Sequence, residues 1–338
     1  MRNLVELHDI SKRFGAKQVL DHLTMAVPEG SIYGFVGKNG AGKTTTMRLI
    51  LGLERMDAGT IMFNDAPAGD PHPESFPTIG YLPDVPTFYD DMTPREYLTL
   101  AGQLAGMRGA ALADRCQTVL KLVGLPSDRR RIRGFSRGMK QRLGIAQALL
   151  TEPQLLICDE PTSALDPSGR NDFLALLASL RHDMTIIFST HILSDVERVA
   201  DHVGILNGGQ LQAEGTLAEL RQRYARPRIA VQMADALAAG QAATALGGPA
   251  TAAGARVDVP YAGEAAAAMK MVMQALAAAD LIPVALAQQS TTLDDIFMEV
   301  VKWPTCGSSS IRNASLLGAA TGFSCLASFS CSSAWKVP

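Results

Sequence analysis

The chain has 338 residues, 47% of them hydrophobic and 19% charged, enough for one sizeable core and a smaller second domain, which excludes wholesale disorder. With 31 Lys and Arg against 33 Asp and Glu, the formal charge of −2 excludes nucleic-acid binding driven by bulk positive charge and leaves only a local basic patch open. Five cysteines, an odd number without a CxxC pair, exclude a disulfide framework and suit a reducing cytoplasm.

The opening MRNLVELHDISKRF has no uninterrupted apolar run with a small-residue cleavage site, so no secretory signal is expected. No stretch reaches the roughly 18 uncharged apolar residues that a membrane span requires. The nearest, Ala262 to Ala287, is broken by Glu264, Lys270 and Asp280. Work at a membrane therefore needs spans from another chain.

Ser31 to Val36 is an apolar strand leading into Gly37-Lys38-Asn39-Gly40-Ala41-Gly42-Lys43-Thr44, which fits G-x-x-x-x-G-K-[ST], and a helix is predicted over Thr45–Leu53. The glycines let the backbone curl so that successive N–H groups point at phosphate oxygens. The helix start adds partial positive charge, and Lys43 reaches the β- and γ-phosphates. Thr44 offers a hydroxyl to Mg²⁺, and Thr45 follows it at the same nucleotide site.

From about Asp84 to Leu150 the strand signal disappears. Helices are predicted at Pro94–Gly106, at Ala110–Val123, and from Ser136, a good N-cap. The run Asp128-Arg129-Arg130-Arg131-Ile132-Arg133 reads more readily as a solvated loop than as a dock for an acidic surface or lipid headgroups. Leu155-Leu156-Ile157-Cys158 is then a buried strand ending in Asp159 and Glu160. Cys158 reads as a small buried hydrophobe, and Cys116 falls in a helix. A bare Asp-Glu pair can be a strand turning into solvent. Beside a phosphate loop, Asp159 suits the Mg²⁺ shell and Glu160 suits a base for the attacking water.

Short apolar runs separated by helices, including Thr185–Phe188, indicate an α/β fold with a largely parallel sheet and a helical subdomain at about 85–150. This cassette is expected over 1–222. Residues 223–302 are Ala-rich, with strands predicted at Arg228–Gln232, Arg256–Val259 and Leu281–Ala285, and read as a small C-terminal α+β domain. Residues 303–338, rich in Ser with three Cys, read as a tail with little packed structure.

Across roughly residues 3–222 the chain resembles the ABC ATPases, with motifs in family order. Phe14, in Ser11-Lys12-Arg13-Phe14-Gly15, matches the aromatic that stacks on adenine. His191, after Ser189-Thr190, matches the switch histidine at the γ-phosphate. Pro161 to Pro167 is similar to the D-loop, whose Asp166 is expected at the nucleotide. Phe135-Ser136-Arg137-Gly138-Met139 holds the place of the family signature. The resemblance implies a P-loop ABC ATPase core that binds ATP with Mg²⁺. In that family Ser136, Arg137 and Gly138 of one copy would cover the nucleotide held by another, so a homodimer is implied. Hydrolysis at such a sandwich involves Lys43, Glu160 and His191.

Three positions depart from the family pattern. Arg137 and Met139 replace the first glycine and the glutamine of the signature; Arg137 either adds charge near the γ-phosphate or, the favoured reading, points outward. Asp84 stands where a glutamine is common, either at the Mg²⁺ and water of the site or as a turn residue after Pro83. These variants resemble ATPase subunits of two-component ABC-2-type exporters such as bacitracin exporters, which implies a separate membrane permease and a cytoplasmic place at the inner membrane face. Gly215–Leu220 resembles the cassette's last helix, and Thr291–Phe297, with Thr292 as N-cap, the closing helix of the small domain. The alternatives are a soluble ABC ATPase acting on ribosomes or nucleic acid, disfavoured by a single cassette without heptads, and a non-hydrolysing regulator.

Overall fold

In the chain, two long antiparallel strands come first, β1 (Asn3–Phe14) and β2 (Lys17–Pro28), burying Val5, Leu7, Leu23 and Met25 with the more exposed Glu6 and Thr24 between them. Then come β3 (Ile32–Val36), α1 (Lys43–Ile50), β4 (Ala58–Phe63) and β5 (Ala66–Pro67). Strands β4 and β5 complete an antiparallel sheet of order β2-β1-β4-β5 that the sequence reading did not anticipate. This is a computed structural model, and it describes residues 2–302 apart from 69–76, 127–128, 164, 182 and 225–226. The expected tail at 303–338, Asp128 and Ala164 lie outside the described residues.

The elements that follow are β6 (Ile79–Leu82), α2 (Pro94–Leu104), α3 (Gly109–Leu122), α4 (Arg137–Ala148), β7 (Leu155–Cys158), α5 (Pro167–Ser179), β8 (Thr185–Thr190), α6 (Leu193–Val199), β9 (His202–Asn207), β10 (Gln210–Thr216) and α7 (Leu217–Arg223). Local chemistry sets several helix starts. Thr93 and Glu96 form a capping box with Pro94 at the first turn of α2, and Ser136 accepts from the Met139 N–H at the start of α4.

Six strands form the central sheet in the order β10-β9-β3-β8-β7-β6, parallel except for β10. Both of its faces are covered, which is why its strands read as continuous apolar runs. Tyr33, Phe35, Leu155, Ile157 and Ile187 pack on the antiparallel sheet and α1. Val36, Leu156, Cys158, Ile186 and Phe188 pack on the helical side. Burial, with Asp159 adjacent, pushes the Cys158 thiol far above its usual range, as befits a core residue.

The remaining elements are β11 (Arg228–Gln232), α8 (Ala236–Leu246), β12 (Thr251–Ala253), β13 (Arg256–Pro260), α9 (Ala265–Ala278), β14 (Ala285–Gln289) and α10 (Leu293–Lys302). Their strands pair antiparallel in the order β12-β13-β11-β14, a β-α-β-β-α-β unit with its own core of Ile229, Val231, Val257, Val272 and Leu276. The last strand lies beyond the expected Leu281–Ala285. Asp280, at φ 56°, and the Leu281 N–H to Leu276 carbonyl bond close α9 first, so 281–284 are spent crossing to the sheet.

Helix α10 also corrects the sequence reading. Its apolar stripe of Leu293, Ile296, Phe297 and Val300 is buried in the cluster that contains Leu193 and Val196 of α6 and Leu220 of α7. The helix expected to close the small domain packs on the cassette instead.

Candidate functional site

Parallel pairing brings three strand ends together. Val36 of β3 stands opposite Thr190 of β8, and Cys158 of β7 opposite Phe188, so the loop after β3, the acids after β7 and His191 after β8 share one sheet edge. Gly42, at φ 116°, turns the glycine-rich loop into α1, a conformation closed to most side chains. Lys43 is buried, and its ammonium donates to the Gly37 carbonyl at 2.6 Å and lies 3.4 Å from that of Lys38. The Thr46 hydroxyl donates to the Gly42 carbonyl at 3.0 Å.

Glu160 is the hub of the charge arrangement. One carboxylate oxygen is 3.0 Å from Lys43 Nζ and the other 2.7 Å from His191 Nδ1, while its side chain is only 14% exposed. Its backbone lies in the left-handed region at φ 46°, unusual outside glycine. Its N–H donates to Ser189 Oγ at 3.0 Å, and that hydroxyl donates to Asp159 Oδ1 at 2.7 Å. Asp159 is buried behind the cleft.

A cleft of about 470 Å³ opens at this edge, lined by Asn39, Gly40, Gly42, Lys43, Thr44, Thr45, Asp84, Glu160 and His191, together with Phe14, Lys17, Val19 and Ser163. Phe14 is 46% exposed, and the Lys12 ammonium sits 4.9 Å from its ring centroid. Lys12 is itself held by the Arg55 carbonyl at 2.5 Å. Asp84 lines the cleft and accepts from Ser163 Oγ at 3.0 Å.

The other expected residues stand elsewhere. Gly37, Lys38 and Ala41 shape the loop without lining the cleft. Ser136 and Arg137 are exposed at the start of α4, with Gly138 partly exposed, and none of the three lines the cleft. Asp166 spends its carboxylate capping α5, accepting from the Gly169 N–H at 3.3 Å beside Pro167. Within one copy, then, the nucleotide loop and the signature are separate. In the basic run, Arg131 and Arg133 turn to Asp91, and Arg130 lies over the Phe135 ring. Sequence reasoning gave no role to Ser189 or Lys12. The available signal for Ser189 was a hydroxyl at the end of a buried parallel strand, next to the acid pair.

The profile of the family described as ABC transporter matches residues 20–163. The chain is 41% identical over 238 residues to the bacitracin transport ATP-binding protein BcrA of Bacillus licheniformis, covering 70% of this chain and 76% of the relative. This chain belongs to the ABC transporter ATP-binding family. To the protein of the same name from Enterococcus faecalis it is 36% identical over 226 residues, covering 66% of this chain and 72% of that one. A solved ATP-binding subunit of an ABC transporter superposes with a TM-score of 0.59 at 34% identity, over 65% of this chain and 93% of the other.

As an ABC transporter subunit the chain is an ATP-binding ATPase of the kind that powers transport, similar to the bacitracin transport ATP-binding proteins. The α/β reading with a P-loop core is the observed fold. The cleft brings the exposed Phe14 ring together with the buried Lys43, the glycine-rich loop and Glu160.

Proposed function

We propose that the chain is the ATP-hydrolysing subunit of an ABC-2-type exporter, working as a homodimer on a separate membrane permease at the cytoplasmic face of the cell membrane. The likeness to bacitracin transport proteins supports export, and a permease is called for because no helix among the described residues is long and apolar enough to cross a membrane. No nucleic-acid partner is invoked. Residues 1–222 form the working cassette with α10 packed against it, and the sheet of 228–289 forms an accessory domain.

The observation that carries this reading is Glu160 held between Lys43 and His191 at the phosphate loop. Lys43 pairs with Glu160. An incoming γ-phosphate competes for Lys43, which leaves Glu160 facing the water that attacks phosphorus. Glu160 takes a proton from that water as its oxygen bonds to phosphorus and the bond to the ADP oxygen breaks. His191 donates to the transferring phosphoryl oxygens, and Phe14 stacks on adenine. The donor set of Thr44, Asp84 and Asp159 is all oxygen and suits a hard cation, so these residues would hold Mg²⁺. When bound, that ion neutralises phosphate charge. Ser136, Arg137, Gly138 and Asp166 stand away from the cleft of their own chain, which supports their serving the nucleotide of a second copy.

The test is Glu160→Gln in the full chain. Turnover should fall by roughly 10²–10⁴ while ATP affinity is kept. Wild-type hydrolysis in the variant, or no Mg²⁺-dependent hydrolysis by the native chain beside its permease, would overturn the proposal.

A further inference from the structure

Helix α6 begins two residues after His191 and meets both the loop that carries Thr162 and helix α10. On its buried side, Asp195 accepts from the Thr162 hydroxyl of the D-loop at 2.7 Å and from Arg170 at 2.5 Å. Val196 lies so close to β3 that a Cβ on Gly34 would come within 2.5 Å of its Cγ1, and β3 runs directly into the phosphate loop. No slack exists there for α6 to move without β3.

On its other side α6 presents Glu197, partly buried with 25% of its side chain exposed. One carboxylate oxygen of Glu197 accepts the first backbone N–H of α10, from Leu293, at 2.7 Å, and pairs with Arg221 of α7 at 3.1 Å. At the same helix start, Thr292 and Asp295 cap each other, and Asp295 binds Arg228 of β11. Arg228 also faces Asp258 of β13 at 3.7 Å. An unbroken set of polar contacts thus runs from the accessory sheet through α10 to the helix that follows His191.

We propose that Glu197 is a positioning residue for ATP hydrolysis, through which α10 and the accessory sheet set the placement of α6, and with it His191 and the D-loop. The inference rests on the ATPase reading above. Loss of the Glu197 carboxylate leaves the Leu293 N–H and Arg221 without this acceptor and frees α6 from α10 on the polar side. Because coupling between two sites is reciprocal, nucleotide at Lys43 must also alter the stability of α10 and β11.

Hydrogen exchange on the full-length Glu160→Gln chain, with and without Mg²⁺ and ATP, tests this independently of turnover. Exchange should slow at 37–46 and, by about fivefold or more, at 293–300 and 228–232. Adding Glu197→Ala should keep the first effect and abolish the second. In the otherwise native chain, Glu197→Ala should lower kcat about fivefold with KM for ATP little changed. Glu197→Gln, whose amide oxygen still accepts the Leu293 N–H, should restore most of that rate. Slowing at 37–46 alone overturns the inference and leaves the ATPase reading standing, as does native kcat in a Glu197→Ala chain with native melting. Slowing at neither segment overturns both.

Discussion

Lys43 and Glu160 form an ion pair at 3.0 Å across the mouth of the phosphate loop, the lysine 6% and the glutamate 14% exposed. A pair this enclosed is hard to replace by water. It keeps the lysine side chain folded over its loop, where the ammonium also donates to the Gly37 carbonyl, and it holds the Glu160 carboxylate against that loop.

Lys43→Met removes the cation that pairs with Glu160 and that the proposed mechanism places at the phosphates. ATP binding should weaken by about 30-fold or more, the effect of roughly 2 kcal/mol or more from truncating a hydrogen-bonded charge partner. Titration with a fluorescent ATP analogue measures this, and unchanged affinity would separate Lys43 from the phosphates.

Ser189→Ala deletes the hydroxyl that links Asp159 to the Glu160 N–H. A buried carboxylate then loses its donor, and a residue at positive φ loses its tether. Stability should drop by about 1–3 kcal/mol in denaturant titration. Turnover should fall more than ATP affinity, since both acids lose alignment while the loop of 37–44 is untouched.

Phe14→Ala should raise KM for ATP with little change in kcat. The stacking surface is worth roughly 1–3 kcal/mol, and it acts on the base equally before and during hydrolysis. Steady-state kinetics separates the two parameters, and a lowered kcat at unchanged KM would contradict the assignment.

Asp295 supplies a pH dependence. Burial alone would raise its pKa, but the Thr292 N–H and hydroxyl and the Arg228 guanidinium outweigh burial and hold it below the usual carboxylate range. A carboxyl lowered in the folded state contributes stability that is fully present above its unfolded pKa of about 3.9 and is lost as pH falls through the folded value. Asp295→Asn should therefore be less stable than the native chain near neutrality, with the difference shrinking below about pH 4. Melting curves across pH 3–7 check this, and a difference that does not depend on pH would exclude the carboxylate as its source.

The sequence alone determined most of the cleft, because its chemistry is written in short contiguous runs. Ile32 to Thr44 and Leu155 to Glu160 each carry a strand and the reactive side chains that follow it in one short contiguous run, so local pattern suffices. The Arg228–Gln232 strand and the Ser136 and Thr292 caps were legible for the same reason. Only the tertiary structure decided what depends on residues far apart along the chain. The antiparallel sheet of β1, β2 and β4 pairs segments whose partly buried faces show weak alternation. Ser189 becomes the link between the two acids only once β8 lies between β3 and β7. The stripe of Leu293, Ile296, Phe297 and Val300 declares that α10 must be buried, yet periodicity carries no address. The surface that receives it was fixed by the shape left open beside α6 and α7 and by the carboxylate of Glu197 waiting at its first turn.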